Sequence, residues 1–309
     1  MAEAARGRAN FLLVLASAIW GFAFVTQRIG ADYVGAFTFN AVRFALGGLV
    51  LVAVIAFLDR RRGLSRELRW AATKAVVWPG AVCGALLAAA AGLQQAAMTT
   101  STAGNAAFVT AMYIVLVPVF GVFLGRRVTW FVVAGIVLCV AGLYLICVRG
   151  DLALGPGDLL LLGAAVMFAV QILFVERFSA KLSALRFSTA QFFGCAAVSA
   201  VAALFFDAAP FGGMERAVVP LLYTGVLSVG VAYTLQVVGQ RDALAAHAAL
   251  IMSLESVFGA LSGALFLGED MGARGYTGAL LMVVGIVVSQ GDLLGESWLR
   301  RKGAASSSR

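Results

Sequence analysis

Apolar residues gather into ten long runs, separated by short polar segments, over almost the whole chain. The runs cover about residues 11–27, 35–58, 75–97, 103–124, 128–148, 158–175, 186–206, 218–238, 245–267 and 273–290. About 20 apolar residues carry an α-helix across a bilayer, so each run is a candidate span, that at 158–175 being the shortest. The pattern predicts an all-α integral membrane protein with ten transmembrane helices. Pro118 interrupts the fourth run; its missing N–H predicts a kink there. The connections are too short for an inserted soluble domain. The polar stretch 291–309, ending in AASSSR, reads as a disordered tail.

The ninth run holds 23 residues and one charge, Glu255, the eleventh of them. An ionised carboxylate at a helix centre costs roughly 2.5–3.5 kcal/mol on insertion scales. A side chain that expensive is expected to line a polar cavity. The alternative is a protonated Glu that bonds a neighbouring helix as structural glue.

Composition agrees with the pattern: 62% of residues are hydrophobic and 12% charged, and the mean hydropathy is +0.96. The net charge of +8 would suggest a nucleic-acid partner in a soluble protein. Here the placement of the charges explains it. With the N-terminus inside, 18 of the 23 Lys and Arg residues fall on the inner side. Only Arg28, Arg149, Arg216 and Arg274 fall outside, and Arg43 lies within the second run. That bias predicts two cytoplasmic termini, in a cell (inner) membrane, and no nucleic-acid partner. Arg6 and Arg8 ahead of the first run resemble a signal peptide, but no A-x-A-like cleavage site follows and the run reads as a retained helix. Cys83, Cys139, Cys147 and Cys195 all lie in apolar runs without metal-ligand spacing.

The second half echoes the first. Leu93-Gln94 and the stretch from Gly104 to Val109 recur as Leu235-Gln236 and Ala246 to Ile251, 142 residues on. Gly125, Gly135 and Gly142 recur 143 residues on, as Gly268, Gly278 and Gly285. The unit is five helices long, residues 10–148 and 157–290, with a cytoplasmic tail from 291. Because five is odd, the two five-helix repeats are expected to cross the membrane in opposite directions. Inverted repeats of this kind place a transporter's substrate site near the midplane, between the halves.

The fourth run, GNAAFVTAMYIVLVPVFGVFLGRR, and the ninth, HAALIMSLESVFGALSGALFLGED, together with the two five-helix units, resemble the EamA-type transporters of the drug/metabolite transporter (DMT) superfamily over about residues 10–290. Many members carry Pro directly after the ninth-helix Glu, where Ser256 stands here. Many also end both units in Leu-Gly-Glu, where the first unit here ends in Gly125-Arg126-Arg127. The resemblance implies a central cavity lined by the third, fourth, eighth and ninth helices. The candidates for substrate contact there are Gln94, Gln95, Asn105, Thr110, Tyr113, Gln236, His247 and Glu255, with Glu255 also the candidate coupling group. Asn105 and Tyr113 lie about 80° apart around their helix, and the offset of 142 pairs them with His247 and Glu255. His247, at a helix end, is expected to be solvated.

Arg43 is positioned either to attract an anionic group or to snorkel to the outer headgroups, and snorkelling is the expectation. Packing or interhelix hydrogen bonding is expected for Trp20, Gln27, Arg28, Gln171 and Gln191. The Gly80/Gly84, Gly121/Gly125 and Gly259/Gly263 pairs have the spacing of close helix contacts.

A secondary transporter follows from this reading, and the resemblance implies export of small metabolites such as amino acids, or of drug-like compounds. A homodimer is compatible with it. No cofactor or metal is expected. No H-E-x-x-H, nucleophilic Ser motif or phosphate-binding loop accompanies the lone His, which disfavours an enzyme. A structural or lipid-handling membrane protein is the alternative. A midplane cavity lined by Gln94, Tyr113 and Glu255 favours transport; a fully packed bundle favours the structural role.

Overall fold

The computed structural model describes residues 2–100, 103–148, 156–267 and 271–291. All of its regular structure is helical, and among the described residues ten helices are long and apolar enough to cross a membrane. Seven are single helices; α1 (Ala2–Ala31), α2 (Ala36–Arg61), α3 (Arg66–Ala97), α5 (Trp130–Cys147) and α6 (Pro156–Ser179) are among them. So are α7 (Ala184–Phe206) and α10 (Gly272–Ser289). The apolar run that looked short, 158–175, is lengthened at both ends: the helix begins at Pro156 and continues past the run, with Arg177 in its last turn, to Ser179. The cytoplasmic tail expected from 291 lies, after its first residue, outside the described residues.

Three spans are irregular. The fourth, α4, is two pieces, Ala103–Thr110 and Tyr113–Phe123. The ninth, α9, is likewise Ala245–Met252 and Glu255–Leu267. Each break is a tightened turn: the Ile114 N–H reaches the Ala111 carbonyl at 3.0 Å, and the Leu254 N–H reaches that of Ile251 at 3.1 Å. Pro118 sits within the second piece of α4 rather than at its break. The matching break in α9 has no proline near it, so the tight turn, not the missing proline N–H, divides both helices. The eighth span, α8 (Val218–Gly239), winds as a π-helix from Tyr223 to Tyr233. Such wide turns are rare and concentrate at functional sites.

Glycine sets how closely the helices approach. Gly80 and Gly84 of α3 lie against Ala190, Gln191 and Gly194 of α7, backbone to backbone. In α5 and α10, Gly135 faces Gly285 and Gly142 faces Gly278, while Cys139 Sγ lies 3.5 Å from the Met282 carbonyl. Gly21 of α1 abuts the backbone of Glu255 and Gly259. Gly121 and Gly125 depart from expectation. Gly125 has a φ of +78° and ends α4, and among the described residues a methyl on Gly121 would meet the Arg126 side chain rather than a second helix. They terminate a helix rather than join two.

Ion pairs tie the end of the bundle where α2, α4 and α6 finish. Asp59 of α2 accepts two hydrogen bonds from Arg186 of α7, at 2.7 and 2.8 Å. Arg126 pairs with Glu176 of α6, whose Oε1 also accepts the Ala245 N–H at the start of α9. Asp59 and Arg186 side chains are each only 11% exposed, so losing one strands the other. We expect Asp59→Asn to lower stability by about 1–3 kcal/mol, below the ~3–5 kcal/mol of a fully buried pair. Thermal unfolding of the detergent-solubilised protein measures it, and an unchanged melting temperature would show the pair to be dispensable.

Candidate functional site

A cavity lies inside the bundle between the two halves of the chain. Gln94 of α3, Thr110 and Tyr113 of α4, Gln236 of α8 and Glu255 of α9 line it. The helix breaks explain two of these positions. Tyr113 and Glu255 are each the first residue after a break, where the chain re-enters the helix and turns its side chain inward. They meet there: the Tyr113 hydroxyl donates to Glu255 Oε1 at 3.1 Å, between residues 142 apart. Glu255 is 9% and Tyr113 4% exposed. Gln94 Nε2 donates to the Thr110 hydroxyl at 3.4 Å.

α1, α2 and α6 supply the rest of the wall. Trp20 Nε1 donates to the Ser228 carbonyl at 3.2 Å, in the π-helical stretch of α8, and its ring stands edge-on to Tyr233 at 4.7 Å. Gln27 and Gln171 both line the cavity. Each belongs to a hydrogen-bonded pair: Gln27 Oε1 accepts from Arg43 at 2.8 Å, and Gln171 Nε2 donates to Gln191 Oε1 at 3.1 Å. Gln236 Nε2 in turn donates to Gln171 Oε1 at 3.4 Å. The interhelix hydrogen bonds expected of these residues are present, and Trp20, Gln27 and Gln171 also face the cavity.

Arg43 does not snorkel. Its side chain is 3% exposed, with Nε on Asn40 Oδ1 and Nη1 on Gln27 Oε1, both at 2.8 Å. The Phe39 and Phe44 rings flank the guanidinium at 5.5 and 5.0 Å. Local hydrogen bonds and ring faces replace the headgroups, and the cation turns inward to line the cavity.

Two of the sequence candidates lie elsewhere. Gln95 is fully buried against α1, with Nε2 on the Gln27 carbonyl at 3.2 Å. Gln240, 145 residues on, makes the same kind of bond to the Ile172 carbonyl at 3.1 Å. Both hold helices together. His247 is 3% exposed rather than solvated, and Nε2 meets the Ser289 carbonyl of α10 at 2.9 Å. A helix packed over it removes it from both water and the cavity. The Asn105 side chain lies outside the described residues.

In this conformation the cavity encloses about 50 Å³, room for a few waters at roughly 10–15 Å³ each. A solute the size of an amino acid needs it to widen. Chemically it offers one carboxylate, one guanidinium, several amides and hydroxyls, and aromatic faces.

A ten-helix membrane protein with a narrow polar cavity between its halves has the architecture of a membrane carrier. The chain belongs to the EamA-like transporter family, whose model matches it twice, over residues 7–148 and 155–290; that family is part of the drug/metabolite transporter superfamily. The chain is 26% identical over 289 residues to an uncharacterized transporter of Archaeoglobus fulgidus, covering 91% of this chain and 85% of that protein. It shares its fold with a solved structure described only as the crystal structure of a protein. There the TM-score is 0.75 at 20% identity, over 94% of this chain and 98% of the other. The protein is a multi-pass membrane transporter rather than a member of an enzyme family.

Proposed function

We propose that this protein is a secondary transporter working by alternating access, with Glu255 as the group that couples solute movement to a proton. The contact between Tyr113 and Glu255 carries this reading: two residues from equivalent places in the two halves close on each other beside the cavity. When the halves move apart, that hydrogen bond breaks, and the carboxylate is left to exchange a proton or meet a solute. The direction is export. The solute is a small metabolite such as an amino acid, or a drug-like amphiphile.

The movement rests on two inverted five-helix repeats, residues 10–148 and 157–290. Support comes from the double family match and from breaks at equivalent places in α4 and α9. The glycine contacts between α5 and α10 give further support. Under a two-fold relation with the offset of 143, the pair Gly135–Gly285 maps onto Gly278–Gly142, and both contacts are present. Both termini are cytoplasmic, in the cell membrane. A reporter fused after Arg309 is therefore expected to be active only in its cytoplasmic form, and one inserted at Asp151 only in its external form. An external C-terminus would remove the inverted arrangement.

Transport itself is tested with purified protein in liposomes loaded with amino acids, organic acids, amines and neutral sugars. Efflux of at least one class, accelerated by an imposed pH gradient, is the expected result. No flux of any class above empty liposomes would overturn the reading.

A further inference from the structure

Arg43 is a buried cation that no carboxylate neutralises among the described residues. Nε and Nη1 are held by Asn40 and Gln27, both uncharged, and Phe39 and Phe44 flank the group. Nη2 has no hydrogen-bond partner among the described residues, and Arg43 lines the cavity. The one carboxylate on the same wall, Glu255, takes its hydrogen bond from Tyr113 instead. An ionised side chain within a membrane span is costly, and such groups pair or serve a transported species. Asn40, Gln27 and the two rings orient the guanidinium without quenching its charge.

The equivalent place in the second half makes the contrast sharper. There Gln171 bonds Gln191 as Gln27 bonds Arg43. An uncharged amide stands there in one half and a cation in the other. Arg43 is thus more than the fold requires at that position.

We propose that Arg43 is the anion-recognition group of the cavity, and that the transported solute carries a carboxylate that docks on its free Nη2 edge. The inference rests on the transporter reading above and narrows its substrate class. Arg suits the task because its donors lie in a planar fork that matches a carboxylate. A solute that also carries an ammonium group can place it toward Glu255, whose Oε2 has no partner among the described residues. Drug-like amines without an acid group are then poor substrates.

The test uses matched probes in proteoliposomes of the full chain: amino acids, their carboxamides, the corresponding primary amines, and monocarboxylates of the same carbon skeleton. Flux is expected only for probes with a free carboxylate. For each transported probe, Arg43→Gln is expected to raise KM about 30-fold or more, the scale for removing one partner of a buried charge pair. Gln is the residue the scaffold already accommodates at 191. Should that variant fold poorly, Arg43→Lys keeps the charge and removes the fork, and a smaller rise in KM is expected. Flux of the amides or amines at the rate of the acids would overturn the proposal while leaving the transporter reading intact, as would acid flux unchanged in both variants. Absence of flux for every probe would overturn the two together.

Discussion

Glu255→Gln is expected to reach the membrane at wild-type levels and to lose transport, or to keep a residual flux that ignores the pH gradient. The amide matches the carboxylate in size and can still accept the Tyr113 hydrogen bond, so the closed form of the cavity survives the change. Interhelix hydrogen bonds average only about 0.6 kcal/mol where measured, and a folding defect is not expected. What Gln lacks is the proton. If Glu255 takes up a proton on one side and releases it on the other, an inward proton gradient accelerates export in the wild type and has no effect on the variant. Flux against pH, with and without a gradient, separates coupling from binding. Normal flux with unchanged gradient dependence would end the coupling role. Tyr113→Phe provides a second arm: it removes the hydroxyl that ties the halves while leaving the carboxylate. Its gradient dependence is expected to persist at an altered rate.

The ten spans were legible because membrane helices write themselves as long apolar runs, and Glu255 because a lone carboxylate in such a run is conspicuous. Tyr113 was legible through its offset from Glu255. The remaining wall was harder to read. Arg43 lies about eight residues from the outer end of its run, a depth from which a long side chain can reach headgroups or turn inward. The choice depends on Gln27 and Asn40, and only the packing of α1 against α2 brings Gln27 within 2.8 Å. A signal was nevertheless present: Phe24 and Gln27 recur as Phe168 and Gln171 at one spacing of 144, and all four line the cavity. Gln95 and His247 show the opposite error. The helices that carry them were expected to line the cavity, but one α-helical residue turns a side chain by 100°. Gln94 therefore faces the cavity and Gln95 faces α1.

The π-helical stretch of α8 was not legible at all, since nothing in YTGVLSVGVAY departs from an ordinary apolar helix. Its consequence is local. Wider turns shift which residues of α8 face inward, and the Ser228 carbonyl accepts a bond from Trp20. The Thr224 and Thr234 hydroxyls bond back to the Pro220 and Gly230 carbonyls, at 2.6 and 2.7 Å. These bonds engage carbonyls near both ends of the stretch. Side chains thus supply donors to carbonyls in and beside the stretch, where a bilayer offers no water to do so.

The glycine contact between α5 and α10 is expected to tolerate substitution poorly. A methyl group on Gly142 would lie 2.5 Å from the Gly278 carbonyl and 2.7 Å from Met282 Cγ, and one on Gly278 would lie 2.6 Å from the Gly142 carbonyl. A backbone carbonyl cannot rotate aside as a side chain can, so the helices must separate around that contact. Gly142→Ala is expected to cost about 1–3 kcal/mol, the scale for overpacking, and Gly142→Leu to abolish monodisperse protein in detergent. Gly163→Ala is the control, since its methyl would meet only the end of the Leu93 side chain, at 3.2 Å, and should change little. Gly142 and Gly278 share one contact, so the separation forced by either substitution makes room for the other. The double variant is therefore expected to cost less than the two singles added. Gly135→Ala strains the second contact, at Gly285 two turns away, and should add to Gly142→Ala almost in full. Melting temperatures of the singles and doubles decide it. Full additivity of Gly142→Ala with Gly278→Ala would mean that the two glycines do not face each other in the membrane.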